Sequence, residues 1–364
     1  MTNEQDIGDR LAAHSRASRL GALNLSDWTR KLTELIAAQS DVRGKVSVSN
    51  VRPIETGAGS SSGTLLFEAR WNDQSQPLVL KFAPEKKLFH SYDMAAQVRI
   101  QRALEGSGIP VPHIYWADLD GEHLGVESYV MHRVDGAGAP IAWQTSGVIF
   151  EASPAQRATM LREYIHTLAK IHAVDWRALG LEALERRTDS TQPIARELQW
   201  YWASLEASNN PDAKARFADI HQWLRANEPP IPQPVLCHGD TNLTNNLFRD
   251  GHVVGVIDWE MAFLGTPECD LTYAANLLTP IGQDYVPMEG IPSIEEFYAE
   301  YQRVSGRTLA NLEYYRLFST LRTAIIWNVA MRQFPPDLQA GFAFAIDFIE
   351  RKLDACARAV GARR

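Results

Sequence analysis

The chain has 364 residues, 45% of them hydrophobic and 22% charged, enough for one large two-lobed unit or two domains of ordinary soluble composition. A formal net charge of −8 argues against a dedicated nucleic-acid binder, which would carry a basic face. Three cysteines without metal-type spacing suit a reducing compartment, the polar start MTNEQDIGDRLAAHSRASRL lacks the apolar run of a signal peptide, and the apolar stretch Thr323 to Met331 falls short of the roughly 20 residues that span a bilayer, so a cytoplasmic protein with no membrane partner is expected.

In chain order, Ser26 or Asp27 caps an expected helix through Trp28, Leu32, Leu35 and Ile36, whose apolar residues recur at helical spacing. The period then changes to two. Strands are expected at Val46 to Val51, at Thr64 to Trp71 and, after a turn at Asn72 and Asp73, at Leu78 to Phe82. A glycine- and serine-rich turn, Gly57 to Gly63, separates the first two. Tyr92 to Leu104 reads as a helix ended by Gly106 and Gly108 and stopped by Pro110 and Pro112. Gly125 to Val134 is strand-like again.

From about residue 135 the pattern is helical. Ser153 and Pro154 open a helix carrying Leu161, Tyr164, Ile165, Leu168, Ile171 and His172 on one face. Ile194 to Leu205 is a helix rich in Trp and Tyr, and Val235 to Cys237 a short buried strand. A hairpin joins Asn246–Phe248 to Val253–Ile257, Ser293 with Glu296 forms a capping box, and Tyr314 to Val329 and Phe342 to Leu353 are apolar-faced helices. The expected organisation is α+β: a helical extension over 1–44, a β-rich lobe with one helix over 45–134, and an α-rich lobe over 135–364.

The chemical signal is His238-Gly-Asp240, then Asn245, then Ile257-Asp258-Trp259-Glu260. Phosphoryl transfer must neutralise and align a triphosphate, which Mg²⁺ does through oxygen ligands, and it needs a carboxylate at the acceptor hydroxyl. One loop supplies Asp240 and, five residues on, the Asn245 amide; a hairpin returns a second carboxylate, Asp258, beside that loop. Singly, each residue could be a cap or a turn. As an ordered set they point to a metal–phosphate pocket.

The stretch VLCHGDTNLTNNLFRDGHVVGVIDWEMAFLGTPECDLTY resembles the signature of the aminoglycoside phosphotransferase and choline kinase-like family. The resemblance implies a protein-kinase-like two-lobed fold, ATP and Mg²⁺ as cofactors, and a small-molecule hydroxyl acceptor. It makes Asp240 the catalytic base, Asn245 and Asp258 the magnesium ligands, Asp270 a structural tie and His238 a positioning residue. In the β-rich lobe, Gly57, Gly59, Ser60, Ser61 and Ser62 stand where backbone N–H groups could meet phosphates, although the spacing is not G-x-G-x-x-G. Lys81, in an apolar strand, would reach the α- and β-phosphates. Gln97 occupies the place of the helix glutamate that usually pairs with such a lysine, and Asp93 on the same face could substitute. Tyr129 to Val134 resembles the hinge, with Met131 lining the adenine pocket. Trp200, Tyr201 and Trp202 could stack on an acceptor or be core.

Phe82-Ala-Pro, Ile109-Pro-Val-Pro112 and Val130-Met-His-Arg-Val-Asp-Gly136 are similar to the branch related to the kinase-like domain of acyl-CoA dehydrogenase family members 10 and 11, which implies a hydroxyacyl-CoA acceptor. Two rivals stand beside this reading. One is a pseudokinase that binds nucleotide or ligand without transfer, for which Gln97 argues. The other is a metal-dependent hydrolase using His238, Asp240 and Asp258, against which the scarcity of spaced histidines counts.

Overall fold

The computed structural model of the chain describes residues 24–54, 62–84, 87–140, 143–184, 191–278, 288–334 and 336–362. Helix α1 (Leu25–Ala37) is capped by Asn24, whose side chain accepts the Asp27 amide, so the cap lies two residues before the expected Ser26. Strands β1 (Ser47–Pro53), β2 (Gly63–Trp71), β3 (Gln74–Phe82), β4 (Ile114–Asp118) and β5 (Ser128–His132) form one antiparallel sheet in the order β1-β2-β3-β5-β4. Asn72 and Asp73, both at positive φ, close the β2–β3 hairpin in the backbone twist that a two-residue loop requires.

Alternation along β2 and β3 sorts the sheet's two faces. Leu65, Phe67, Leu78, Leu80 and Val130 pack on Leu32, Leu35 and Ile36 of α1. Val79, Tyr129 and Met131 pack on the opposite side with Met94 and Val98 of helix α2 (Met94–Leu104). Because β3 is covered on both faces, its apolar residues run together rather than alternate. Lys81, two residues from Val79 and paired in register with Tyr129, therefore emerges on the α2 side.

The helical half is built from α3 (Pro154–Ala173), α4 (Pro193–Ala207), α5 (Pro211–Ala226), α6 (Pro267–Leu278), α7 (Ile294–Ser305), α8 (Leu312–Met331) and α9 (Ala343–Ala359). The capping boxes expected at Ser153 and Ser293 are both present, with Gln156 and Glu296 reaching back. Strands β7 (Val235–Cys237) and β10 (Phe263–Gly265) pair beneath the loop that follows β7. Strands β8 (Asn246–Arg249) and β9 (His252–Val256) form the expected hairpin, which the short β6 (Ala137–Gly138) extends. Among the described residues no helix is long and apolar enough to cross a membrane.

The two halves are tied in several places. Pro110 accepts the Val256 amide at 2.6 Å. The segment between β3 and α2 lies on the helical half: the Phe89 ring packs tilted against Trp200 at 4.5 Å and meets Tyr201 edge-on at 6.0 Å. Ser204 Oγ accepts the His90 amide at 3.2 Å, and Trp200 Nε1 donates to Ser91 Oγ at 2.9 Å. Trp200 and Tyr201 are thus core of this tether rather than an open acceptor platform, and Trp202 stacks on His221 at 4.2 Å. Phe89→Ala should lower stability by about 3 kcal/mol, the usual cost of emptying a buried aromatic site, read as a drop in the urea midpoint at unchanged slope; an unchanged midpoint would show that the tether contributes nothing.

Candidate active site

The site begins with a backbone constraint. Gly239 has φ +83°, and a Cβ there would lie 1.9 Å from the Met261 carbonyl oxygen, so only glycine lets the loop pass the turn after Asp258. The loop's direction is set from below by Asp270, in the first turn of α6 and fully buried. Its two carboxylate oxygens accept the His238 amide at 2.7 Å and the Gly239 amide at 3.0 Å, and its backbone carbonyl accepts the Thr241 hydroxyl at 3.0 Å. His172 Nε2 stands 3.1 Å from the same carboxylate and its Nδ1 2.8 Å from the Tyr301 hydroxyl. Burial alone would raise the Asp270 pKa, but the His172 hydrogen bond and charge, His238 and the Gly239 amide hold it below the ordinary carboxylate value.

On this support Asp240 stays partly exposed. Asn245 Nδ2 donates to Asp240 Oδ2 at 2.8 Å and to the Asp240 carbonyl at 3.0 Å. Burial pushes the Asp240 carboxyl above its usual value, against the lowering effect of His238 and Asn245, and the nearby Asp258 pushes it further up. A carboxylate raised in this way is better matched to taking a proton near neutral pH.

The β8–β9 hairpin does what its spacing promised. Asn245 accepts the Ile257 amide at 3.0 Å, which sets Asp258 beside the loop. Asp258 adopts the left-handed conformation at φ +70°, uncommon for a non-glycine residue and worth roughly 1–3 kcal/mol of strain. That turn directs its carboxylate at Lys81, and the two form an ion pair, with side-chain exposures of 5% and 13%. Burial, the largest single influence, would lower the Lys81 pKa, yet Asp258 together with Tyr129, Tyr92 and Glu260 raises the ammonium above its ordinary value. His238 Nε2 donates to the Ile257 carbonyl at 3.0 Å and its ring lies 4.6 Å from that of Trp259, as suits a positioning residue.

Other sequence-predicted residues sit elsewhere. Gly57, Gly59, Ser60 and Ser61 lie outside the described residues; Ser62 is buried just before β2 and its hydroxyl has no partner. Gln97 is buried, with Oε1 3.5 Å from the Tyr129 hydroxyl and Nε2 unpartnered, so Lys81 takes Asp258 rather than Gln97 as its partner. Asp93 does not substitute for the missing glutamate: it is spent as the cap of α2, accepting the Ala96 amide at 2.7 Å. Met131 is packed between sheet and α2, its sulfur 3.6 Å from Gln101 Nε2, which describes a core residue rather than the wall of an open pocket.

Sequence reasoning missed Arg322 and the role of His172. The signal for the first was a lone arginine inside the apolar face of α8, between Phe318 and Ile325. Among the described residues one cluster of potential metal ligands gathers, His172, Cys237 and Asp270, with ligating atoms within 4.8 Å of one another. Asp270 there is already engaged by two amides and His172, so this cluster is the loop's anchor and not a hydrolytic metal centre.

Residues 60–318 match the family model described as the phosphotransferase enzyme family, APH. The Arabidopsis thaliana protein named "Probable acyl-CoA dehydrogenase IBR3" is 28% identical over 300 residues, covering 75% of this chain and 35% of that one. Acyl-CoA dehydrogenase family member 11 of Gallus gallus is 30% identical over 270 residues, covering 68% and 33%. The chain thus spans about a third of the length of these relatives. Among solved structures, a Ralstonia eutropha JMP134 protein assigned as an aminoglycoside phosphotransferase superposes with a TM-score of 0.68 at 22% identity, covering 91% of this chain and 98% of that one. Plasmodium vivax ethanolamine kinase gives 0.57 at 13% identity, covering 89% and 84%. Aminoglycoside phosphotransferase APH(4)-Ia in a complex with ADP and hygromycin B gives 0.55 at 14% identity, covering 91% and 98%. The fold is the protein-kinase-like one, a β-rich N-terminal half on an α-rich C-terminal half.

Because folding depresses the Asp270 pKa, its stabilisation is complete above the unfolded value of about 3.9 and fades as the pH falls below it. Asp270→Asn should cost about 3 kcal/mol at pH 7, as does breaking a buried pair, and the gap to the parent should narrow toward pH 3. Urea titrations at the two pH values measure it; a constant gap would remove Asp270 as the ionised anchor.

Proposed function

Because the chain belongs to the phosphotransferase enzyme family, we propose that it is an ATP-dependent small-molecule kinase that moves the γ-phosphoryl group onto a hydroxyl of its acceptor. One observation carries the reading: Lys81 from the sheet meets Asp258 beside a loop on which Asn245 holds Asp240. The acceptor hydroxyl would present its proton to the Asp240 carboxylate, whose orientation Asn245 sets and whose raised pKa suits the transfer. The Lys81 ammonium, paired here with Asp258, would turn to phosphate oxygens when nucleotide binds.

The donor set fits magnesium. Among the described residues Asn245 Oδ1 is met only by the Thr244 hydroxyl, at a long 3.4 Å, and Asp258 adds carboxylate oxygens, the hard ligands such a cation takes. Asn245 and Asp258 would hold it, and Mg²⁺ there would supply charge neutralisation and alignment of the phosphates. On the side of the acceptor, the likeness to acyl-CoA dehydrogenase family members supports a hydroxyacyl-CoA or a related metabolite, and three cysteines without metal-type spacing suit a reducing, cytoplasmic setting. The competing pseudokinase reading draws on one observation, that Gln97 stands free of Lys81 in place of a glutamate partner.

A screen of hydroxyacyl-CoAs, other hydroxylated metabolites and aminoglycosides for acceptor-dependent ADP release with Mg²⁺ separates the two. Transfer to one class is expected, with Asp240→Ala lowering kcat by about 100-fold or more, the scale of a lost general base. If no class stimulates release, or Asp240→Ala turns over like the parent, the kinase reading fails and the binding module stands.

A further inference from the structure

Helix α8 buries a guanidinium completely: Arg322 is 0% exposed. The rings of Tyr201, Phe263, Tyr273 and Phe318 surround it, with centroids 4.9–5.3 Å from the guanidinium carbon. Burial would lower its pKa, but Tyr201, buried Glu197 and Tyr273 raise it, so the group stays charged. Among the described residues only Nη2 is bonded, to the Gly239 carbonyl at 2.7 Å and the Tyr201 hydroxyl at 3.0 Å; Nε and Nη1 meet no acceptor there. Open donors on a buried cation are costly, and a well-packed apolar side chain in such a place is often neutral or more stable. Stability therefore does not account for this arginine.

Its one backbone contact does. The Gly239 carbonyl belongs to the peptide plane that ends on the Asp240 nitrogen, and Arg322 holds that plane. Asn245 holds the next one, through the Asp240 carbonyl at 3.0 Å. Both peptide planes that flank Asp240 are thus clamped by side-chain donors from separate elements, while Asp270 secures the amides before them. Gly239, at positive φ and without a side chain, has little of its own to resist a flip of that plane. We propose that Arg322 is a positioning residue for the phosphotransferase reaction, aiming the Asp240 carboxylate through the Gly239 carbonyl. The proposal rests on Asp240 as the base.

The test uses the full chain with Arg322→Met, which keeps the volume, and Arg322→Lys, which keeps a charged nitrogen able to donate to both acceptors but on a shorter stem that falls short of the Nη2 position. Leu224→Ala, in the same core, serves as a variant that loses stability alone. Arg322→Met should melt within about 3 °C of the parent or above it, lose about 100-fold in kcat as a misaimed catalytic group does, and change the KM for ATP by less than about threefold. Arg322→Lys should recover part of kcat. Amide exchange at Asp240 and Thr241 should speed by about tenfold in Arg322→Met, with His238 and Gly239 still protected. A kcat loss that only follows lost stability, as in Leu224→Ala, or unchanged exchange at Asp240 and Thr241, overturns the proposal. A parent chain without phosphoryl transfer would instead sink the kinase reading, and exchange would decide alone whether Arg322 holds the loop.

Discussion

The site depends on one buried carboxylate. Asp270 takes the amides at His238 and Gly239 on its two oxygens, and without that acceptor both N–H groups would lie unpaired in the interior. Everything chemical is arranged upon this anchor. Gly239 can take its positive φ because the chain on either side is held, Asp240 then stays partly exposed, and Asn245 can reach it from one turn further on. The carboxylate is in turn kept ionised by His172, which leans on Tyr301 of α7, so the loop inherits its position from two helices.

Above the anchor, charges of opposite sign from the two halves meet. Lys81 reaches its place because a period-two strand puts it on the α2 face, and Asp258 reaches its place because the backbone turns left-handed at the end of a hairpin. Each element is locally unremarkable. Their meeting is a tertiary fact, since the partners are 177 residues apart.

What could be read from the sequence was what the chain brings together over short distances. Asp240, Asn245 and Asp258 were legible because a loop and the hairpin that follows it must lie side by side. The capping boxes at Ser153 and Ser293 were legible because each closes within a single turn. Strand β4 was hidden, as the prolines at 110 and 112 obscure a five-residue run that alternates only once packed. Helix α5 was missed because its polar surface outweighs the apolar stripe of Phe217, Ile220 and Leu224. The lack of a lysine-pairing glutamate was visible at Gln97, but not that Asp258 would take the lysine and Asp93 the cap, since helix caps and ion pairs compete for the same carboxylates. Arg322 could not be placed at all, because its carbonyl partner lies 83 residues away.

The tether at Phe89 has a mechanical meaning. A rigid body pinned at one point keeps three rotations, pinned at two it keeps one axis, and a third pin off that axis leaves none. Among the sheet's joints to the helices are Phe89 in its aromatic nest, the Pro110 to Val256 bond and Lys81 on Asp258, beside Ile100 and Leu104 of α2 in the helical half's core. The first is apolar and the second is backbone, so neither answers to a charged visitor. The third is electrostatic and exchangeable, so a polyanion competing for the ammonium would take one charge contact from between the halves and leave the apolar and backbone joints to hold the frame.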